Sequence, residues 1–546
     1  MRLRASKATY ERLVHDFRWE LPERFNIGVA CSDRHPPEAT ALIEVLDGGS
    51  TREYTFGDIA ALSNRLANAL VGLGAESGDR VAIVLPQRVE AGVAHLAIYK
   101  VGAIAVPMSG LLGPDALAFR LRDSEARLIL TDAAHLEPLA RIAAELEGAE
   151  VICVDGFSPP HHGFWELLQD ASDRFIGAPT ELDTPCLLIY TSGTTGPPKG
   201  ALHGHRVLLG HLPGFELSHE FFPKERDRFW TPADWAWIGG LMDALIPAWY
   251  HGRAVVGSAR GKFDPEWALR LMFEHEVRNA FLPPTALKLI RQAQPKLGRV
   301  RLRTVMSGGE VLGEEILAWG REALGVTINE IYGQTEANYV VGNCAPVWDV
   351  RPGSMGRPYP GHEVAVLDPE GEATPAGTVG EVAVRTPDPV LFLGYWRQAD
   401  ATSEKFDSRG QWLLTGDLAA SDDEGYLWYR SRADDVINSA GYRIGPTEVE
   451  QCLMAHPGVA MAAAIGVPDP VRGEAVKAFV VVSDEYEASA TVEAEVQEHV
   501  KRRLAAYAYP RELEFVEELP LTATGKIRRA ELRKREAGRR AEVERR

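Results

Sequence analysis

The sequence predicts an α/β protein of more than one domain, and three observations carry that prediction. The chain has 546 residues, more than one hydrophobic core sustains when domains usually run ~100–200 residues. Short aliphatic runs alternate with helical patterns, the rhythm of parallel sheets covered by helices. The composition, 45% hydrophobic and 25% charged, is that of a globular protein.

In chain order, Arg80–Leu85 reads as a strand, Ala91–Val101 as a helix and Ala103–Pro107 as a strand. Leu128–Thr131, Val151–Val154 and Cys186–Tyr190 continue the alternation. From about Gly353 to Tyr429 the chain is dense in Gly and Pro, with short strands at Val364–Leu367, Gly380–Arg385 and Gly425–Tyr429. This stretch predicts a small β-barrel-like subdomain. After Arg432 the α/β pattern returns, with a helix at Pro446–Ala455 and strands at Ala462–Val467 and Ala478–Val482. A boundary near Asp434 divides the chain into domains 1–432 and 433–546. The tail from Lys526 to Arg546 predicts a solvated amphipathic helix, because Glu531, Glu536, Glu542 and Glu544 interleave with its bases.

Composition also excludes classes. A formal net charge of −18 argues against nucleic acid as a partner. No window reaches the ~18 apolar residues a membrane span needs. The N-terminus lacks an apolar core and carries Glu11 and Asp16, so neither a secretory signal nor a transit peptide is expected, and the cytoplasm is the default. Cys31, Cys153, Cys186, Cys344 and Cys452 are far apart, which points to buried free thiols rather than a zinc site or disulfides. Self-association into a homo-oligomer stays open.

The segment richest in chemistry is Tyr190-Thr191-Ser192-Gly193-Thr194-Thr195-Gly196-Pro197-Pro198-Lys199-Gly200. It leaves a buried strand. Its glycines let backbone N–H groups converge on an anion, the hydroxyls of Thr191, Ser192, Thr194 and Thr195 can donate to phosphate oxygens, and Lys199 adds charge. It is not a Walker A loop, because two prolines oppose an immediate helix and Gly follows the lysine.

This loop resembles the signature of the adenylate-forming superfamily, which includes acyl-CoA synthetases, peptide-synthetase adenylation domains and firefly-type luciferases. Glu330-Ile331-Tyr332-Gly333-Gln334-Thr335-Glu336 is similar to the family's second nucleotide motif. The resemblance implies that Tyr332 lies against adenine, Thr335 contacts the α-phosphate and Glu336 binds Mg²⁺, as suits a π face and a hard carboxylate oxygen. Ser307-Gly308-Gly309-Glu310 resembles the stretch lining the adenine pocket, and Thr415-Gly416-Asp417 the motif whose Asp accepts from both ribose hydroxyls. Arg430-Ser431-Arg432-Ala433-Asp434-Asp435 resembles the family linker, which implies that Arg432 touches ribose and Asp434 is the hinge of a small mobile α+β C-terminal domain. Ser431 stands where most members have Gly. By the same resemblance Gly441 and Tyr442 border the CoA arm and Arg443 helps place phosphate or CoA. The resemblance places the adenylation lysine at Lys526, in Thr524-Gly525-Lys526, where a fixed ammonium would stabilise charge as it builds. The resemblance spans roughly residues 30–530 and implies an acyl-CoA synthetase. Such an enzyme takes a carboxylic acid, ATP and CoA to acyl-CoA, AMP and diphosphate with Mg²⁺.

The acid is read from fewer residues. Phe17–Asn26 resembles the opening of medium-chain acyl-CoA synthetases. Asp234-Trp235-Ala236-Trp237-Ile238-Gly239-Gly240 resembles one wall of the acyl pocket, with Trp237 beside the acyl group and Trp235 suited to core or pocket. Acetate enzymes carry a Trp where Gly333 stands. The exchange predicts room for several methylenes, each worth about 0.8 kcal/mol if buried, and so a short- or medium-chain fatty acid longer than acetate. Alternatives are a stand-alone ligase for an aryl acid or a carrier protein, and a non-catalytic nucleotide-binding regulator.

Overall fold

The computed structural model describes residues 9–46, 48–142, 148–156, 159–191, 197–293, 300–439, 442–469, 472–483, 485–503, 509–522 and 526–544. Two compact units emerge. One comprises the described parts of Met1–Gly193, Pro197–Val364 and Val384–Leu413; the other comprises Ala365–Ala383 and those of Leu414–Arg546.

The first unit carries two large sheets. One has eight strands in the order Gly394–Tyr395, Lys199–Gly204, Pro185–Thr191, Ile104–Pro107, Arg80–Val84, Leu128–Thr131, Glu150–Cys153 and His162–Gly163. Pairing is parallel from Pro185–Thr191 onward and antiparallel at the edge that holds Lys199. Ile104–Pro107 and Leu128–Thr131 are buried throughout, as expected for parallel strands covered on both faces. The covering helix Val89–Val101 is buried along its whole length and ends at Gly102, whose φ of 81° favours a residue without Cβ.

The second sheet has nine strands: Arg357–Pro358, Ala337–Gly342, Ile328–Gln334, Thr304–Gly308, Asn279–Phe281, Phe229–Trp230, Val255–Ser258, Thr40–Val45 and Thr51–Thr55. The strands from Ile328–Gln334 to Thr40–Val45 are parallel, and the flanking ones antiparallel. Trp230, Val256, Ala280, Val305 and Ile328 pack against Leu269, Met272, Leu287 and Ile290. The sheets are thus parallel through their centres, as expected, and antiparallel at their edges.

The Gly- and Pro-rich stretch forms a four-stranded sheet, Val364–Leu367, Val379–Arg385, Trp412–Ser421 and Leu427–Arg432. Its end strands do not pair with each other among the described residues, so it is open rather than barrel-like. Four strands are about half the number a small closed barrel uses. The last strand starts later than the expected Gly425, because Gly425 turns the chain at φ 82° and donates its N–H to the Asp422 carbonyl.

Beyond Arg432 the strands Tyr442–Ile444, Ile437–Ser439, Gly473–Val482 and Val459–Asp469 form a sheet, and Glu512–Phe515 pairs parallel to Gly473–Val482. One face packs Val449, Leu453, Val492, Val496 and Val500 from the helices Pro446–Met454 and Ala490–Arg503. The opposite face receives Leu532 of the helix Arg529–Glu544. That helix is amphipathic, as expected, with most described positions exposed or half-buried, but its charges are not all solvated. Its Glu536, 4% exposed, accepts a 2.7 Å bond from the buried Lys477 ammonium. All five cysteines are buried and free. No helix of the described residues is long and apolar enough to cross a membrane.

Candidate active site

Pro185–Thr191 and Lys199–Gly204 are the two arms of a hairpin in which Thr191 pairs with Lys199. The Thr191 hydroxyl donates to the Lys199 carbonyl at 3.3 Å. At its root the Tyr190 hydroxyl donates to Asp123 Oδ2 at 2.6 Å. Ser192, Gly193, Thr194 and Thr195, singled out in the sequence, lie outside the described residues. Lys199 sets its ammonium 5.1 Å from the Tyr395 ring centroid.

Two motifs become neighbours through strand pairing. Ser307 aligns with Glu330 and Gly308 with Ile331 in parallel register. A Cβ on Gly308 would lie 2.7 Å from Ile331 Cδ1, so the close approach needs glycine. Gly309, at φ 97°, turns the chain, and Glu310 follows half-buried. Glu330 is 4% exposed, accepts the Leu312 N–H at 3.1 Å through Oε1, and its Oε2 has no partner among the described residues. Burial pushes its pKa up to about 8, against the lowering effect of the Leu312 bond. At neutral pH the carboxyl keeps its proton and can donate as well as accept.

Tyr332, Gly333, Gln334 and Thr335 are half-buried at the end of their strand, and Gln334 accepts from the Lys405 ammonium at 3.2 Å. Glu336 is buried, and its Oε1 accepts a 2.5 Å bond from the Tyr395 hydroxyl. The Phe392 N–H also holds the Glu336 carbonyl, at 2.9 Å. Tyr395 therefore touches both the loop lysine and the carboxylate, yet sequence reasoning missed it. Its strand has two residues, Gly394–Tyr395, too short for any periodicity. Its Gly-Tyr-Trp setting is the only local mark. Among the described residues no Lys or Arg pairs with Glu336, and no group of three or more His, Cys, Asp or Glu side chains could hold a metal by itself. A single free carboxylate oxygen fits Mg²⁺ bound mainly through nucleotide phosphates.

On the acyl wall, Trp237, Ile238 and Gly239 are half-buried. Trp235 is 1% exposed and its ring lies 3.0 Å from the Cβ position of Gly257, so it is core. Gly333 does not leave the room its sequence predicts. A Cβ there would lie 2.5 Å from the Tyr339 amide nitrogen and 2.7 Å from Asn338 Cα. The space an indole would enter is filled by the chain's own backbone, and glycine serves close approach.

In the second unit Asp417 pairs across strands with Arg432. Arg432 Nη1 donates to Asp417 Oδ1 at 3.2 Å and to the Thr415 carbonyl at 3.1 Å, while Nε reaches Asp434 Oδ1 at 3.3 Å. Gly416 makes the bend at φ 76°, its N–H held by Glu381 at 2.7 Å. Ser431, 2% exposed, is accommodated within its strand. Gly441 and the side chains of Tyr442 and Arg443 lie outside what is described; their strand pairs Asn438 with Arg443 and Ser439 with Tyr442. Lys526 is exposed, and its N–H and carbonyl bond the Thr522 hydroxyl at 2.9 Å and N–H at 2.7 Å.

Comparisons with known proteins identify the family. A family model described as AMP-binding enzyme matches residues 30–396, and that of its C-terminal domain matches 448–526. The chain belongs to this family of adenylate-forming enzymes. It is 32% identical to the mitochondrial acyl-coenzyme A synthetase ACSM3 of Mus musculus, over 97% of this chain and 93% of that one. It is 33% identical to the acetyl-coenzyme A synthetase of Bacillus subtilis (strain 168), over 93% and 90% of the two chains. The crystal structure of the anthranilate CoA ligase AuaEII in complex with anthranoyl-AMP superposes with a TM-score of 0.85 at 31% identity, covering 94% of this chain and 98% of that one. Within its class the protein is an acyl-CoA synthetase, an AMP-forming acid–thiol ligase.

Proposed function

We propose that the protein activates a short- or medium-chain carboxylic acid in two half-reactions. The acid's carboxylate attacks the α-phosphate of ATP, giving an acyl-adenylate and releasing diphosphate. The thiol of CoA then attacks the acyl carbon and AMP leaves. The observation that carries the assignment is the convergence of Lys199 and Glu336 on one phenol, Tyr395. A loop cation and a carboxylate held together suit a triphosphate and its metal.

In this reading the 191–199 loop binds phosphates, Thr335 contacts the α-phosphate, and Tyr332 lies against adenine beside Gly308, Gly309 and Glu310. The protonated Glu330 stiffens that wall. Asp417 accepts from ribose, with Arg432 steadying it. Mg²⁺ would be held by Glu336 and would neutralise phosphate charge. Lys526 stabilises the charge that builds during adenylation. Asp434 is the pivot on which residues 433–546 exchange that role for CoA binding by Gly441, Tyr442 and Arg443. A cytoplasmic setting goes with this reading, since ATP, CoA and free thiols belong to a reducing compartment.

The test is AMP, diphosphate and acyl-CoA formation across fatty acids from acetate to dodecanoate and a set of aryl acids. Butyrate or hexanoate is expected to exceed acetate in kcat/KM. Release of ADP, or AMP formation from no acid, overturns the proposal.

A further inference from the structure

One buried acid in the first unit is unused by the reaction just described. Asp243 is 3% exposed, and Asn338 Nδ2 donates to its Oδ1 at 2.6 Å. The nearest basic group is His211 Nε2 at 3.8 Å. That imidazole is no counter-charge. Its Nδ1 lies 2.7 Å from the Val207 carbonyl, which can only accept, so Nδ1 carries the proton. Its Nε2, 3.1 Å from Asn338 Nδ2, accepts the amide's second N–H. Asn338 is thus committed on both donors, and Asp243 Oδ2 has no assigned hydrogen-bond partner among the described residues. Burial holds the Asp243 pKa well above the usual carboxylate range, which favours the protonated form, the one with a hydrogen to donate.

Its position gives it a use. Gly239, on the acyl wall, and Gly333, which the chain's own backbone crowds, both abut this pair. Asp243 Oδ2 lies 3.7 Å from the Cβ position of Gly239, and Asn338 Oδ1 lies 2.7 Å from that of Gly333. Both glycines are half-buried, so the acid lies behind partly exposed backbone, with the Phe281 ring 2.9 Å from the Cβ position of Gly239. The helix that carries Asp243 widens there into a π-helical turn, Leu241–Leu245, a local irregularity often found at binding sites. A leucine would fill the same volume without the desolvation cost of a half-satisfied carboxyl.

We propose that Asp243 determines specificity by hydrogen-bonding a hydroxyl group on the acyl chain, distal to the reacting carboxylate, so that the protein prefers hydroxy acids over their plain counterparts. The inference rests on the acyl-CoA synthetase reading and on the acyl wall at Gly239. A hydroxyl can accept from the protonated acid and donate back to it, a reciprocity no methyl group offers.

The test pairs each plain acid with its terminally hydroxylated form: butyrate, hexanoate, benzoate and phenylpropanoate. With wild-type enzyme, kcat/KM for AMP formation is expected to favour the hydroxylated member at least about tenfold in one or more pairs. D243L is expected to reduce that ratio about tenfold or more, and D243N to retain part of it, since an amide still donates and accepts. If D243L does not fold, the wild-type ratios and D243N decide alone. Preference for the plain acid in every pair overturns the inference and leaves the ligase reading standing. So does a D243L or D243N variant whose ratios match those of wild type. AMP formation from no acid overturns both.

Discussion

The Tyr395 hydroxyl donates a 2.5 Å hydrogen bond to Glu336 Oε1, while the same ring lies 5.1 Å beneath the Lys199 ammonium. One side chain thus fixes a carboxylate through its oxygen and a cation through its face. Hydrogen bonds to charged groups contribute about 1.5–3 kcal/mol. Y395F keeps the ring and removes only the bond. Its expected effect is a rise of about tenfold or more in the Mg²⁺ concentration for half-maximal AMP formation, with KM for the acid little changed. Titrating Mg²⁺ at saturating ATP measures it, and an unchanged requirement would remove Tyr395 from the site.

Glu330 ties stability to pH. Its folded-state pKa, pushed up to about 8 by burial, exceeds the ordinary carboxylate value of 4.5. The folded chain therefore holds a proton that the unfolded chain releases. This stabilisation is fully present below about 4.5 and is lost as pH rises through about 8. E330Q places an uncharged amide at the position and removes the dependence. Relative to wild type, the variant is expected to gain about 2 °C or more in Tm on moving from mildly acidic to mildly alkaline buffer. Differential scanning calorimetry at the two pH values checks it; parallel curves would assign the proton elsewhere.

The alternating core was legible because fully buried parallel strands are continuous aliphatic runs, as at Leu128–Thr131 and Ile104–Pro107. Strand order was not, since pairing of Thr304–Gly308 with Ile328–Gln334 is set by packing across distant segments. The family was legible by resemblance, from motifs such as Tyr190–Gly200 and Glu330–Glu336. Tyr395 was not, because its meaning comes from Glu336, 59 positions away. Within the C-terminal helix Glu536 misled, because charged residues read as solvated. Glu536 is instead buried against Lys477, and a buried ion pair has the same composition as an exposed one.

Gly333 is expected to resist enlargement. A Cβ at that position would meet backbone atoms at 2.5 Å and 2.7 Å, which cannot turn aside as a flexible side chain can. G333A is expected to cost about 1–3 kcal/mol, and G333W more. Neither variant should become an acetate-specific enzyme; both should lose stability in chemical denaturation and lose activity on every acid together. A stable G333W whose preference shifts to acetate would restore the open-pocket reading.

Lys526 separates chemistry from stability. Its side chain is exposed, while its backbone is held at both polar atoms by Thr522. K526A leaves those bonds intact, and surface substitutions of this kind usually change stability by less than about 0.5 kcal/mol. The ammonium matters only while charge develops on the α-phosphate, so its loss is expected to slow acid-dependent exchange of labelled diphosphate into ATP by about 10²–10³-fold. Thioester formation from supplied acyl-adenylate and CoA does not pass through that transition state and should change little. Measuring both half-reactions on one preparation gives the ratio. An equal loss in the two would mean that Lys526 supports CoA transfer as well, and the division of labour assigned to the C-terminal residues would fall.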